Sequence, residues 1–161
     1  MTARDVPGAM AVADIVHPTF PEGEAMYRDR LALFPEGCHV LADETDGVVG
    51  YALAYPARLG APPPLDTALG ALPEGADALY LHDVALLPAF RGRKLAEEAI
   101  GQVLALAERS GLAPMLVSVY GTAPYWSRFG FIEPDDKLPP AKLASYGEGA
   151  VYMIRPAAGS L

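Results

Sequence analysis

Apolar residues recur along this chain in two rhythms, and each change of rhythm marks a change of element. In the first third the spacing is helical. Met10, Val12, Ala13, Ile15 and Val16 predict a helix that begins after Asp5, carries Pro7 in its first turn and stops at His17-Pro18. A second helix is expected from Glu22 to Phe34, with Met26, Arg30 and Leu33 near one face and Leu31 and Phe34 widening it. Pro35-Glu36-Gly37 ends it, and Thr2 to Asp5 reads as a short edge strand ahead of both helices.

The period then shortens. Cys38 to Ala42 and Val48 to Tyr55 predict a hairpin about Thr45-Asp46-Gly47, because an Asp-Gly pair tolerates positive φ. Ala78 to Leu87 is an apolar strand interrupted only by His82-Asp83. The main helix is expected over Arg93 to Ser110, with Leu95, Ala99, Val103 and Leu106 at helical spacing and Gly111 just past its end. Met115 to Tyr120 is a second buried strand, so this strand–helix–strand unit should be parallel and right-handed. Ala123 to Phe129 predicts a short helix stopped by Gly130, and Phe131-Ile132 and Gly149 to Arg155 the last strands. Pro56 to Asp77, which contains Pro62-Pro63-Pro64, is a long connection read as an insertion, either a lid or a solvated loop. The fold class is α/β or α+β around a mixed sheet.

Composition narrows the function. At 161 residues the chain is expected to form one domain over residues 1–161. Its 52% hydrophobic content supports a real core and argues against disorder. A formal net charge of -8 disfavours nucleic-acid and anionic-membrane partners and leaves room for a cationic substrate such as an amine. No apolar run approaches the ~20 residues that a bilayer requires. Cys38 is the only cysteine, so no intramolecular disulfide can form and a reducing, cytoplasmic compartment is expected.

One basic island stands out on this acidic chain. Leu86-Leu87-Pro88-Ala89-Phe90-Arg91-Gly92-Arg93-Lys94-Leu95-Ala96 delivers a strand into an Arg/Gly turn and then a helix. Free N–H groups and a helix dipole converge there, which suits phosphate. No Gly-Lys-Ser/Thr or Gly-x-Gly-x-x-Gly pattern is present, and a solvated basic helix start is the alternative.

A second segment, Gly121-Thr122-Ala123-Pro124-Tyr125-Trp126-Ser127-Arg128-Phe129-Gly130-Phe131, follows the next strand. Together the two resemble the GCN5-related N-acetyltransferase (GNAT) superfamily. Arg91 and Ala96 take the first and last places of its Arg/Gln-x-x-Gly-x-Gly/Ala motif, and Trp126 precedes Gly130-Phe131 by the spacing of its second motif. The resemblance implies a mixed, mostly antiparallel sheet flanked by helices, with splayed central parallel strands. It implies acetyl-CoA as co-substrate and no metal. The pyrophosphate would lie over Arg91, Gly92, Arg93, Lys94, Leu95 and Ala96, the pantetheine arm along Val84, Ala85 and Leu86, and Trp126 would adjoin the cofactor.

Two positions depart from the family pattern. Lys94 stands where Gly is preferred, and a helical conformation is expected for it, since positive φ costs a lysine about 1 kcal/mol. Trp126 occupies the place of a tyrosine that protonates the departing thiolate. Tyr125 or Tyr120 serves instead, or CoA leaves as thiolate. His82 and Asp83 are the candidate bases, with Asp83 preferred; their side chains point to opposite faces unless a bulge intervenes. The catalytic candidates are thus Asp83, His82 and Tyr125. The expected activity is acetyl transfer from the thioester to a primary amine of a small molecule. The alternative is a non-catalytic acyl-CoA sensor of the same fold. A homodimer is the assembly allowed for, and the acceptor is unspecified by any motif.

Overall fold

The structure, a computed structural model, describes residues 1–45 and 47–156. Two helices come first, α1 (Val6–Val16) and α2 (Glu24–Leu33). A hairpin of β1 (Cys38–Asp43) and β2 (Gly47–Ala57) follows, then β3 (Ala78–Leu86), α3 (Leu95–Ser110) and β4 (Ala113–Ser118). The short helices α4 (Ala123–Ser127) and α5 (Pro140–Ala144) precede β5 (Val151–Ile154). The five strands form one sheet in the order β1-β2-β3-β4-β5, parallel only between β3 and β4. This is the mixed α/β fold expected, with the parallel strand–helix–strand unit in the middle.

The helices cover the sheet through their apolar faces. Val6, Ala9, Val12 and Ala13 of α1 pack with Met26 and Tyr27 of α2 against Tyr51, Leu53 and Ala85. In α3, Val103, Leu106 and Ala107 pack with Leu79, Leu81, Leu116 and Phe131. Burial of the Val, Leu, Met and Phe side chains among these contributes on the order of 1.5–3 kcal/mol each.

Several boundaries differ from the sequence reading. Thr2 to Asp5 is a turn, not an edge strand: the Asp5 N–H donates to the Thr2 carbonyl, and the Asp5 carboxylate accepts from Thr2 N and Thr2 Oγ1. The second helix starts at Glu24, because Gly23 before it is extended (φ -78, ψ 161); the Glu22 carboxylate accepts the Asp66 N–H. Strand β2 runs through Pro56, which pairs with Leu79. Its pairing with β1 stops at Leu53, so the missing proline N–H removes no bond from that ladder. Phe131-Ile132 is not a strand; Ile132 makes an isolated bridge to Ile154. The hairpin turn keeps Gly47 at φ 72, while Asp46 lies outside the described residues.

Two features position the site. The first is a bulge in β3: Asp83 pairs with Leu53 and Leu81 with Ala54, so His82 is the extra residue. The second is a splay. Strands β3 and β4 pair from Ala78↔Ala113 to Leu81↔Leu116 and no further, although both continue.

The 58–77 connection is strapped down rather than free. Asp29 accepts the N–H groups of Leu69 and Gly70, and the wholly buried Arg30 donates to the Thr67 carbonyl and to Asp29. The Tyr146 hydroxyl reaches the carbonyls of Pro62 and Pro63, tying this connection to the chain just past α5. Asp29→Ala would strip Arg30 of its counter-charge. We expect a loss of roughly 3–5 kcal/mol, read by chemical denaturation. Faster proteolysis within 58–77 should accompany it.

Candidate active site

The splay opens a cavity of about 820 Å³ between β3 and β4, within the range of small-ligand sites. Its two ends differ chemically. One is the turn from β3 into α3; the other is a cluster of hydroxyls, imidazoles and carboxylates around the β3 bulge.

At the first end Arg91 is extended, Gly92 has φ 78 and Lys94 has φ 60 and ψ 15. The chain thus turns twice through the left-handed region before α3 begins. The Arg91 Nε donates to the Leu86 carbonyl and fixes the turn against β3. The N–H groups that open α3 at Leu95 and Ala96 have no partner within the helix, as at any helix start, and they face the cavity with the helix dipole behind them. Lys94 is therefore left-handed, contrary to the helical expectation. Its position immediately before α3 demands a reversal, which is why glycine suits it. Arg93 also departs from expectation: it is not among the cavity-lining residues, and its guanidinium lies 5.7 Å from the Phe90 ring centroid.

Along the wall, Val84 and Leu86 face the cavity, whereas Ala85 is buried among α1 and β2 residues as strand alternation requires. Trp126 and Tyr125 both line it. Trp126 packs edge-on to Phe131, and Tyr125 packs edge-on to Phe129 with Arg128 near its ring. Burial followed by the Glu97 charge raises the Tyr125 pKa above its ordinary value.

At the far end His82 and Asp83 both reach the cavity, because the bulge breaks the alternation. They form no dyad. His82 lies between the Tyr55 hydroxyl, 2.8 Å from Nδ1, and the Glu22 carboxylate, 2.7 Å from Nε2. Asp83 accepts the Tyr51 hydroxyl and sits 3.0 Å from Nε2 of His17. The other His17 nitrogen is 3.3 Å from the Tyr120 hydroxyl. Sequence reasoning assigned no role to His17 or Glu22. The one signal for His17 was its place beside Pro18, where α1 must end and its side chain is freed.

Electrostatics couples these groups. Burial works against a charged His17, but the bond and charge of Asp83 and the charge of Glu22 outweigh it and raise its pKa above 6.5. Burial likewise works against Glu22 ionisation, yet the bond and charge of His82 prevail and lower its pKa. Burial, then the Asp83 charge, raises Tyr51 far above its usual range. Burial pushes the Cys38 thiol up to about 11, so it is no nucleophile. Among the described residues no His/Cys/Asp/Glu group could hold a metal ion, and no helix is long and apolar enough to cross a membrane.

A gap between parallel strands, with an amide cradle at one end and acid–base groups at the other, matches a known pattern. The sequence model of the acetyltransferase (GNAT) family matches residues 9–131. The chain belongs to the GNAT acetyltransferase family. No curated protein matches it in sequence. Solved structures share the fold at low identity. Ard1 from Thermoplasma volcanium aligns over 96% of this chain and 93% of its own, with 16% identity and TM-score 0.71. Arabidopsis thaliana Naa50, in complex with the bisubstrate analogue CoA-Ac-MVNAL, covers 98% and 95% at 13% identity and TM-score 0.70. The loading GNATL domain of CurA from Lyngbya majuscula covers 96% and 93% at 13% identity and TM-score 0.75.

Two outcomes test this geometry. Lys94→Gly should stabilise the fold by about 1 kcal/mol by relieving the left-handed strain, measured by denaturation. It should leave acetyl-CoA affinity within about tenfold, measured by calorimetry, because backbone amides carry the phosphate contact. The second concerns His17, whose folded pKa exceeds its unfolded one. Its contribution to stability is present in full below the ordinary value of 6.5 and is lost as pH rises through the folded value. The stability gap between the native chain and His17→Gln should therefore be larger in mildly acidic than in alkaline buffer.

Proposed function

We propose that this GNAT protein transfers an acetyl group directly from acetyl-CoA to the nitrogen of a small primary amine. The splayed gap carries the reading, since one cavity joins the phosphate-type cradle to the Asp83 cluster. The residues present fit acetyl-CoA. Unpaired N–H groups at the start of α3 suit a pyrophosphate, and the β3 edge beyond Leu81 has no strand partner in β4, so it offers backbone groups to pantetheine amides. When bound, the thioester supplies an acyl carbon open to attack by an unprotonated nitrogen.

The chain's own groups would do the rest. Gly92 to Ala96 hold the phosphate end. Val84 and Leu86 orient the arm, so that the thioester falls near the bulge. The Asp83 carboxylate, and Glu22 behind it, favour a cationic amine entering from the α1–α2 side. His82 holds Glu22, and through it the α1–α2 loop, beside the reacting centre. Several contacts support a small acceptor. The 58–77 connection is bonded to α2 and to Tyr146, and Phe20 of the α1–α2 loop lies 3.2 Å from where a Cβ on Gly147 would be. Those contacts tie the three segments to one another beside the α1–α2 loop, and a tied-down surround suits a compact amine better than an extended peptide.

A second reading, a non-catalytic acyl-CoA sensor, is favoured by one observation: Trp126 has no titratable proton at the place where the family's tyrosine would stand. Release of CoA thiol with a panel of amines separates the two. Thiol release above the hydrolysis background with a small amine is expected; binding without release with any amine overturns catalysis. Acetyl-CoA at a hundred times its dissociation constant should stabilise the fold by about 2.7 kcal/mol in thermal unfolding, and no stabilisation would exclude both readings.

A further inference from the structure

Trp126 leaves the reaction without the family's proton donor, yet another phenol is held at the acid–base end. Tyr120 follows β4 and is 55% exposed, lining the cavity with Asp83 and Val84. Its ring stacks on His17 with centroids 5.7 Å apart and planes 16° from parallel. Its hydroxyl is 3.3 Å from His17 Nδ1, and His17 Nε2 is 3.0 Å from Asp83. Among the described residues Tyr120 is one of three non-glycine residues with positive φ, at 55°. A tyrosine is kept in that unfavoured conformation only where surrounding structure holds it, and such residues cluster at functional sites. Tyr125, the other cavity phenol, has Arg128 and Glu97 as its charged neighbours, at the α3 end.

We propose that Tyr120 is the catalytic acid–base group of the transfer, with His17 and Asp83 as the proton store behind it. The proposal rests on the acetyl-transfer reading above. An ionised carboxylate only accepts, so Asp83 orients His17 with its proton on Nε2 and leaves Nδ1 free to accept from the Tyr120 hydroxyl. The amine enters as a cation and loses its first proton to solvent before its nitrogen attacks. As nitrogen bonds to the acyl carbon, the Tyr120 oxygen takes the second amine proton and passes its own to Nδ1. As the carbon–sulfur bond breaks, Tyr120 gives a proton to sulfur and recovers one from His17. One N–C bond forms, one C–S bond breaks, and the amine proton ends on the thiol. His17 and Tyr120 return to their starting states.

Groups from each surrounding element set the pH behaviour. His17 faces Asp83 from β3, Tyr120 from the turn after β4, Glu22 from the α1–α2 loop and Arg91 from the turn after β3; Tyr51 of β2 reaches it through Asp83. Protonated His17 carries hydrogen on both nitrogens and cannot accept from Tyr120. The rate should therefore rise as His17 loses its proton.

The test compares Tyr120→Phe with the native chain. Acetyl-CoA binding should stay within about threefold, while kcat/KM for the amine falls by about 10²-fold or more. The acidic limb of the pH profile assigned to His17 should vanish in Tyr120→Phe, and in His17→Gln. An unchanged rate and limb in Tyr120→Phe, beside active native protein, overturns the proposal and leaves the acetyl-transfer reading intact. A larger loss in Tyr125→Phe than in Tyr120→Phe also overturns it. A measurement without acceptor covers the case in which no amine reacts. The thiolate absorbance of bound CoA, referenced to the desulfo analogue, should titrate at higher pH in Tyr120→Phe, because the phenol no longer donates to sulfur. Identical titrations, or no CoA binding by the native chain, overturn it.

Discussion

Two parallel strands that stop pairing part-way leave backbone N–H and C=O groups facing each other across a gap. Elsewhere in a folded protein such groups would carry a cost of about 1–3 kcal/mol each if buried without partners. Here the gap is wide enough to form a cavity of about 820 Å³, and those edges are open to a ligand. The break follows Leu81↔Leu116, next to the His82 bulge. The bulge lets consecutive polar residues reach one cavity. The splay gives that cavity its length, from the α3 start to the α1–α2 loop.

Polar groups at the bulge also organise the loops. His82 binds Glu22 and Asp83 contacts His17, so both of these β3 residues hold the segment between α1 and α2. Glu22 in turn accepts the Asp66 N–H, and Asp66 accepts the Gly23 N–H. A single chain of bonds thus runs from the centre of the sheet to the 58–77 connection. The His82–Glu22 and Asp83–His17 contacts are part-buried and involve carboxylates, the class that contributes most to order, while the two Asp66 bonds are exposed. Adjacent His82 and Asp83 are two separate branches of this network.

Much of the fold was legible in the chain. The apolar period located α1, α3 and the four longer strands within a few residues. The basic turn and the Trp126 to Phe131 segment pointed to the family through local spacing alone. Lys94 was misread because a propensity argument places it in the first helical turn, while the chain has to reverse there to bring α3 back over the sheet. Thr2 to Asp5 was misread because a four-residue stretch carries too little pattern to separate strand from turn. The helix α5 was missed for the same reason, within a Pro-flanked stretch of five residues.

The acid–base cluster was the least legible part. Asp83 and His82 drew notice as polar breaks in an apolar strand. Their partners lie 66 and 60 residues away in sequence, at His17 and Glu22. Periodicity reports which face a residue takes within its own element. It carries no information about which distant side chain will stand opposite. The sequence by itself determined the elements, the phosphate-type turn and the family, because each depends on spacing within one segment. Only the tertiary structure decided that Lys94 is left-handed, that β3 bulges at His82, and that Tyr120, His17 and Asp83 meet. Those outcomes depend on how separate segments pack across the splayed sheet.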